Sequence, residues 1–295
     1  MFVLLGANGN ITSKLARLLL AQRQAVRVVG RRAENLAAVQ AAGAEIALGD
    51  AADVGFLTAA FKGARGVYAM IPPNYGSSDP RAEQAMIGEA ICRALSIAAV
   101  RRVVNLSSGG ADLAAGTGPI AGLHDQEQRL DHLPGLSLLH LRPGYFFENH
   151  LHAAGLIKAF DVYPSMEQSD VVIPMVATRD IAAVIARELQ DPGTPGSQAL
   201  HLRAAGNYTM QDAARILGAA IGKPGLKHVR SNPAEAKAGM IEHGISPKMA
   251  ALFEEMAEAL SDGRIAAGFA RGPTITGPTS LEDFAPQFAE FYRSV

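Results

Sequence analysis

"FVLLGANGNITSKLARLLL", residues Phe2 to Leu20, decides the fold. The run Phe2 to Leu5 is apolar without alternation, as a strand buried on both faces of a sheet reads. It ends at Gly6, after which Ile11, Leu15, Leu18 and Leu19 recur at helical spacing. A strand turning through glycines into a helix is the opening unit of a parallel α/β sheet. Glycines at Gly6 and Gly9 permit a tight turn and let backbone N–H groups approach a pyrophosphate at the positive end of the helix dipole. The loop Gly6 to Ile11 is therefore read as dinucleotide-binding, with Asn8 and Asn10 adding amide donors. An ordinary strand-to-helix turn is the alternative. Thr12 stands where a third glycine is usual, which predicts looser packing of helix against strand.

The alternation continues to about residue 145. Apolar runs "AVRVVG", "AEIALGD", "GVYAMIPP", "RRVVNLSS" and "LSLLHLRPG" are separated by helical patterns "AENLAAVQAAG", "DVGFLTAAFKG", "DPRAEQAMIGEAICRALSIAAV" and "LHDQEQRLDHL". These strands and crossovers predict a Rossmann-type α/β fold, a doubly wound parallel sheet, over residues 1–150. Beyond Pro143 the helices lengthen and Gly and Pro increase, as in "QDPGTPGSQ" and "FARGPTITGPTS", predicting a smaller C-terminal α/β region over 151–295. Within it "DIAAVIARELQ" and "ALHLRA" read as a helix and strand of the main sheet, so about 170–204 is expected to return there. Thr209 to Asp212 and Thr279 to Glu282 each set a hydroxyl three residues ahead of a carboxylate, as capping boxes do.

The 295 residues carry 27 Lys and Arg against 28 Asp and Glu, a formal net charge of −1. No basic field is available for nucleic acid. Hydrophobic residues at 48% and charged residues at 19% exclude a disordered chain. No uncharged apolar run of about 18 residues occurs and the start lacks a basic n-region, so neither membrane spanning nor export is expected. The single cysteine, Cys92, rules out an internal disulfide and fits a reducing cytoplasm. It reads as filler on a helix.

NAD sites usually end the second strand in an acidic residue that accepts hydrogen bonds from the adenosine ribose. Here the strand ends "VVGRR". Arg31 and Arg32 offer guanidinium forks suited to a 2′-phosphate, favouring NADP(H) over NAD(H); the alternative is a solvated helix start. Gly49 and Asp50 end the third strand and border the adenine, while Asp53 reads as a helix cap. With "GANGN" and this "GD", the pieces "MIPP", "NLSSGGA", "HLRPGYFFEN", "MVATRDIAAV" and "TSLEDFAPQF" follow in order over nearly the whole chain. In that ordered set the sequence resembles the NmrA-like branch of atypical short-chain dehydrogenases, and also isoflavone-reductase and triphenylmethane-reductase relatives. The resemblance implies a Rossmann domain binding NADP(H), a cleft against a small C-terminal region, and either reductase activity or a cofactor-sensing role. It places Met70, Ile71 and Pro72 after the fourth strand, Ser107 and Ser108 after the fifth, and Pro143 after the sixth, beside the cofactor.

Catalytic short-chain dehydrogenases pair a Tyr with a Lys four residues on, the lysine lowering the tyrosine pKa for proton transfer. Four residues after Tyr68, Tyr75, Tyr145, Tyr163 and Tyr208 stand Pro72, Asp79, Asn149, Glu167 and Asp212, and Tyr292 is too near the end. No lysine lies between Lys62 and Lys158. His124 is the nearby side chain whose ordinary pKa suits proton transfer near neutrality, and so the candidate catalytic residue; a plain helix start is its alternative. Tyr145 and Phe146 either wall the nicotinamide or fill the core between the two regions. Arg142 and Glu148 read as a structural pair. His150 and His152 diverge if "ENHLHAAGLIKAF" is helical, as it reads, and no third ligand accompanies them, so no metal site is expected. The helix "SPKMAALFEEMAEAL" sets Met249, Leu252, Phe253, Met256 and Leu260 on one face, a core stripe or else a dimer stripe or the wall of an apolar substrate pocket.

These readings converge on an NADPH-binding oxidoreductase passing hydride to a small apolar or aromatic acceptor, such as a quinone, an azo dye or a conjugated enone, which takes its proton from water. The rival is a non-catalytic NADP(H) sensor acting through a protein partner. The expected partners are a small-molecule substrate and either another protein or a second copy of the chain, with neither nucleic acid nor a membrane.

Overall fold

The computed structural model describes residues 1–7 and 9–295. In the first half β1 (Phe2–Leu4) leads into α1 (Thr12–Ala21), β2 (Val26–Gly30) into α2 (Ala37–Ala41) and β3 (Glu45–Leu48) into α3 (Val54–Phe61). Then β4 (Gly66–Ala69) leads into α4 (Pro80–Ile97), β5 (Arg102–Leu106) into α5 (Ala121–Asp131), and β6 (Ser137–Pro143) follows. Val3, Leu5, Val67 and Val103 pack with the apolar faces of α3 and α4, whereas Leu4, Val28, Tyr68 and Val104 pack with α1. Successive strand residues alternate between two covered faces, which is why these strands read as continuous apolar runs.

The second half runs β7 (Tyr145–Phe146), α6 (Ala154–Phe160), β8 (Tyr163–Ser165), β9 (Met175–Val176), α7 (Thr178–Gln190), β10 (Gly196–Ala204) and α8 (Met210–Ala220). It continues through β11 (His228–Arg230), α9 (Pro233–Glu242), α10 (Pro247–Ser261), α11 (Arg264–Arg271), β12 (Thr274–Gly277) and α12 (Leu281–Ser294). Helix α7 joins α1 on one face of the main sheet and β10 pairs with β6, so this segment does return there. The sheet extends one strand further than the hydrophobic pattern suggests, to eight, because β12 pairs with β10 from His201↔Thr274 to Ala204↔Gly277. Strand β12 hides within "GPTITGPTS", where its short apolar content gives no periodicity. All register pairs of this sheet are parallel.

Two local readings need correction. Phe147 to Ala153 is a 3-10 segment preceding α6, not the start of one continuous α-helix. Thr209 and Asp212 do form a capping box, but the second box is Ser280 with Asp283, one residue beyond Thr279 and Glu282. Thr279 instead donates its hydroxyl to buried Asp180 at 2.8 Å, and Glu282 accepts from the Tyr208 hydroxyl at 3.0 Å. Both are tertiary bonds that local spacing cannot show. Phe147, Leu217, Phe284 and Phe288 centre a separate core for the second half. No helix among the described residues is long and apolar enough to cross a membrane.

Candidate cofactor cleft and active site

The main sheet has the order β12-β10-β6-β5-β4-β1-β2-β3. From β1 the chain steps outward through β2 and β3, then returns to β4 on the other side. The loops after β1 and β4 therefore diverge at the strand ends and open the crevice where doubly wound sheets bind ligands.

The glycine loop lies at that switch point. Gly6 at φ +99° and Ala7 at φ +47° turn the chain out of β1, and Ala7 N donates to Val29 O at 3.1 Å. Gly9 N donates to Gly6 O at 3.0 Å, and a Cβ on Gly9 would sit 3.1 Å from that same oxygen. Gly30, which the motif does not reveal, matters equally: a Cβ there would lie 2.8 Å from the Ala7 methyl. Ile11, the buried residue at the N-terminus of α1, provides no side-chain cap, and among the described residues no side chain accepts from the helix's first N–H groups, although Ser13 N donates to Gly9 O at 3.1 Å. Thr12 overturns the expectation of loose packing. Its buried hydroxyl donates to Leu5 O at 2.9 Å and ties the helix directly to β1. Asn8 lies outside the described residues.

Arg31 and Arg32 are exposed and make no hydrogen bond or ion pair among the described residues, as a site for an external phosphate requires. Asp50 accepts from Ala52 N at 2.9 Å and orders the turn after β3, while Asp53 caps α3 by accepting from Phe56 N. Met70 packs on the glycine loop: a Cβ on Gly6 would meet its sulfur at 3.0 Å. Ile71 is buried in the core that the sheet shares with α3 and α4, whereas Pro72 is half-buried.

On the far side of β4, Ser107 N donates to Leu141 O at 2.8 Å, and its buried hydroxyl has no partner among the described residues. Ser108 donates to Gly109 O at 3.0 Å, and Gly109 N donates to Pro143 O at 2.8 Å. Helix α11 clamps this loop. Phe269 would lie 2.6 Å from a Cβ on Gly109, and Arg271 Nη2 reaches Asp112 at 2.5 Å. Half-buried His124 lies 2.9 Å from Ala111 O through Nδ1. A carbonyl only accepts, so Nδ1 carries the hydrogen and a neutral ring has none to give from Nε2.

Tyr145 and Phe146 are half-buried, and Tyr145 N donates to Pro174 O at 2.8 Å beside β9. Burial, with Glu167 adding to it, pushes the Tyr145 hydroxyl well above its ordinary pKa. That is the opposite of what a lysine does for a proton-donating tyrosine. Behind Tyr145 the fully buried His150 meets the Tyr163 hydroxyl at 2.5 Å through Nδ1. Among the described residues no group of three or more His, Cys, Asp or Glu is arranged to hold a metal ion.

Arg142 and Glu148 do not pair with each other. Arg142 grips buried Glu127 with two bonds, at 2.9 and 2.5 Å. Glu148 accepts from the backbone N and the hydroxyl of Thr178 at the start of α7. Lys14, also unnoticed in the sequence, donates to Asn10 O and to the Thr178 hydroxyl, both at 2.9 Å, and stands 3.8 Å from Glu148. Burial lowers its pKa against the pull of Glu148. This cluster ties the glycine loop to the second half. In α10, Met249 and Leu260 are buried while Leu252, Phe253 and Met256 are half-buried, so the stripe is only partly in the core.

Known structures share this architecture. An NADPH-dependent quinone oxidoreductase from Escherichia coli, complexed with NADPH, superposes with a TM-score of 0.79 at 21% identity, covering 97% of this chain and 99% of that one. The Citrobacter sp. triphenylmethane reductase complexed with NADP(H) gives 0.75 at 18% identity, covering 98% and 100%. In sequence, an NAD(P)H azoreductase of Xenophilus azovorans is 26% identical over 298 residues, spanning 100% of this chain and 97% of the relative. The family model described as NmrA-like matches residues 2–285, and the chain belongs to the NmrA-like family.

Proposed function

We propose that this chain is an NADPH-dependent reductase of small apolar or aromatic acceptors of the quinone, dye or conjugated-enone kind, working without a Tyr-x-x-x-Lys pair. The observation that carries this reading is the pair of exposed guanidinium groups, Arg31 and Arg32, without a hydrogen-bond or ion-pair partner among the described residues, beside a glycine loop whose helix N-terminus no described side chain caps. The whole-length likeness to an NAD(P)H azoreductase supports it.

When bound, the dinucleotide supplies a hydride. The backbone from Gly6 to Ile11 and the start of α1 hold the pyrophosphate, with Asn8 and Asn10 as added donors. Arg31, aided by Arg32, takes the 2′-phosphate, and Asp50 borders the adenine. Met70, Ile71, Pro72, Ser107, Ser108 and Pro143 line the path towards the acceptor, where Tyr145 and Phe146 exclude water. His124, with Nδ1–H held by Ala111 O, has no proton on Nε2 to give while neutral. An acceptor that forms a stabilised anion and takes its proton from water suits such a site, whereas a simple ketone needs a donor in place.

Stopped-flow oxidation of NADPH with a quinone, an azo dye and a simple ketone tests this reading. Rapid oxidation by the first two and little or none by the ketone is expected. Efficient ketone reduction that collapses in His124→Ala would overturn the proton argument. No oxidation by any acceptor would refute the reductase and favour a sensor.

A further inference from the structure

We infer that Tyr75 and Phe253 form an aromatic gate over the acceptor end of the cleft, selecting flat acceptors that have more than one ring and carry no negative charge. The inference rests on the reductase reading and adds the residues that choose the substrate.

The loop after β4 starts at Met70, packed on Gly6, and at Tyr75 it reaches α10. There Ser246 N donates to Tyr75 O at 2.8 Å, and further on Asp79 pairs with Lys248 Nζ at 3.1 Å. The loop is thus tied at two points and spans from the glycine loop to a helix of the second half. The Tyr75 and Phe253 rings lie 5.7 Å apart at 55°. Tyr75 is 51% exposed, and Phe253 is half-buried.

The same helix rests on the loop after β5: a Cβ on Gly118 would lie 2.0 Å from Leu252 O. Phe253 therefore belongs to an element held by the loops after β4 and after β5, on the side of the switch point away from Arg31 and the adenine. Asp79 pairs with Lys248 and Lys237 with Glu254 at 2.5 Å, while Glu83, which accepts from the Asn74 amide next to Tyr75 at 3.0 Å, has no ion-pair partner among the described residues; the spare charge there is negative and disfavours an anionic acceptor. A tilted ring pair is a weak contact, and a flat ligand that stacks on both faces replaces it with a larger one. A two-ring acceptor reaches both aromatics where a single ring covers one.

The test uses the full chain saturated with NADP+, which cannot turn over, and measures dissociation constants by dye absorbance or equilibrium dialysis. The probes are 4-hydroxyazobenzene, its 4′-sulfonate, and the one-ring duroquinone. Wild type should bind the neutral dye about tenfold more tightly than the sulfonate. Tyr75→Ser and Phe253→Ala should each weaken the neutral dye about tenfold and duroquinone less than twofold, leaving NADPH affinity unchanged. Phe253→Leu, which keeps apolar volume, should weaken the dye in the same sense if the alanine variant does not fold. Failure of wild type to bind the dye, equal binding of the sulfonate, or equal losses for both acceptors would overturn the gate. Selective binding without any NADPH oxidation would refute the reductase and leave the gate standing. Turnover with an unchanged dye-to-duroquinone preference would do the reverse.

Discussion

The loops after β1 and β4 leave the sheet side by side, yet different bonds hold them. The first is fixed chiefly by its own neighbourhood, Ala7 N to Val29 O, Gly9 N to Gly6 O and the Thr12 hydroxyl to Leu5 O, with Lys14 as its one described tie to the second half, through Thr178. The second is fixed from far along the chain, by Ser246, Lys248 and Phe253 of the α10 segment. A site made of backbone tolerates little change because any Cβ intrudes, whereas one made of side chains is retuned by substitution. In the proposed reductase the cofactor end is thus the rigid partner and the acceptor end the adjustable one.

The sharpest way to break this contrast is Gly9→Val, whose side chain starts 3.1 Å from Gly6 O. NADPH affinity measured by calorimetry should fall at least about a hundredfold, with circular dichroism unchanged, since backbone approach to the pyrophosphate is lost. Retained binding would move the cofactor elsewhere.

Acid should strike the second half next. Burial pushes His150 down to about 3, with His228 adding to it, and burial takes His228 to about 4, against 6.5 for a free imidazole. Between these values the unfolded chain binds more protons than the folded one, so stability is full above pH 6.5 and falls as pH drops. The loss approaches a tenfold change in the folding equilibrium per pH unit for each histidine, or roughly 2 kcal/mol for His150 alone between pH 6.5 and 4.5. Urea unfolding at both pH values checks it, and His150→Gln should flatten the slope.

Arg31→Asp asks whether the rigid end depends on one charge. NADPH should lose about ten- to hundredfold in affinity while NADH holds or gains. Equal dissociation constants for the two cofactors in the parent protein would remove the role given to Arg31. The smallest effect is expected at His124→Ala, which should lower quinone or dye reduction by less than about tenfold, short of the roughly hundredfold or more of an essential acid.

What the sequence discloses follows the same division. Strands buried on both faces announce themselves as apolar runs, and the turn after β1 is legible because Gly6 and Gly9 stand together in one short segment. Thr12 is the instructive exception. Its place in the motif suggests a fault in packing, and the structure turns it into a hydrogen bond because a small hydroxyl reaches Leu5 O. Lys14, Gly30 and the Tyr75–Phe253 pair give no local signal, since each acquires its meaning from a residue brought near by the fold. The same holds for Arg142 and Glu148, near each other in sequence and bonded to different partners, and for β12, a few residues that become a strand only because β10 lies beside them.

The pairing of β10 with β6 bears on how this molecule is made. Along the whole of β6, from Ser137 to Pro143, each residue has a register partner in β10, from Gly196 to Leu202. A nascent chain that has emerged only to residue 150 presents β6 as an open edge, with unpaired N–H and C=O groups beside apolar Leu138, Leu139 and Leu141. Such edges invite pairing with other chains. The nucleotide-binding half therefore spends the start of its life as an aggregation hazard until the second half arrives to seal it, with β12 then forming a short outer border.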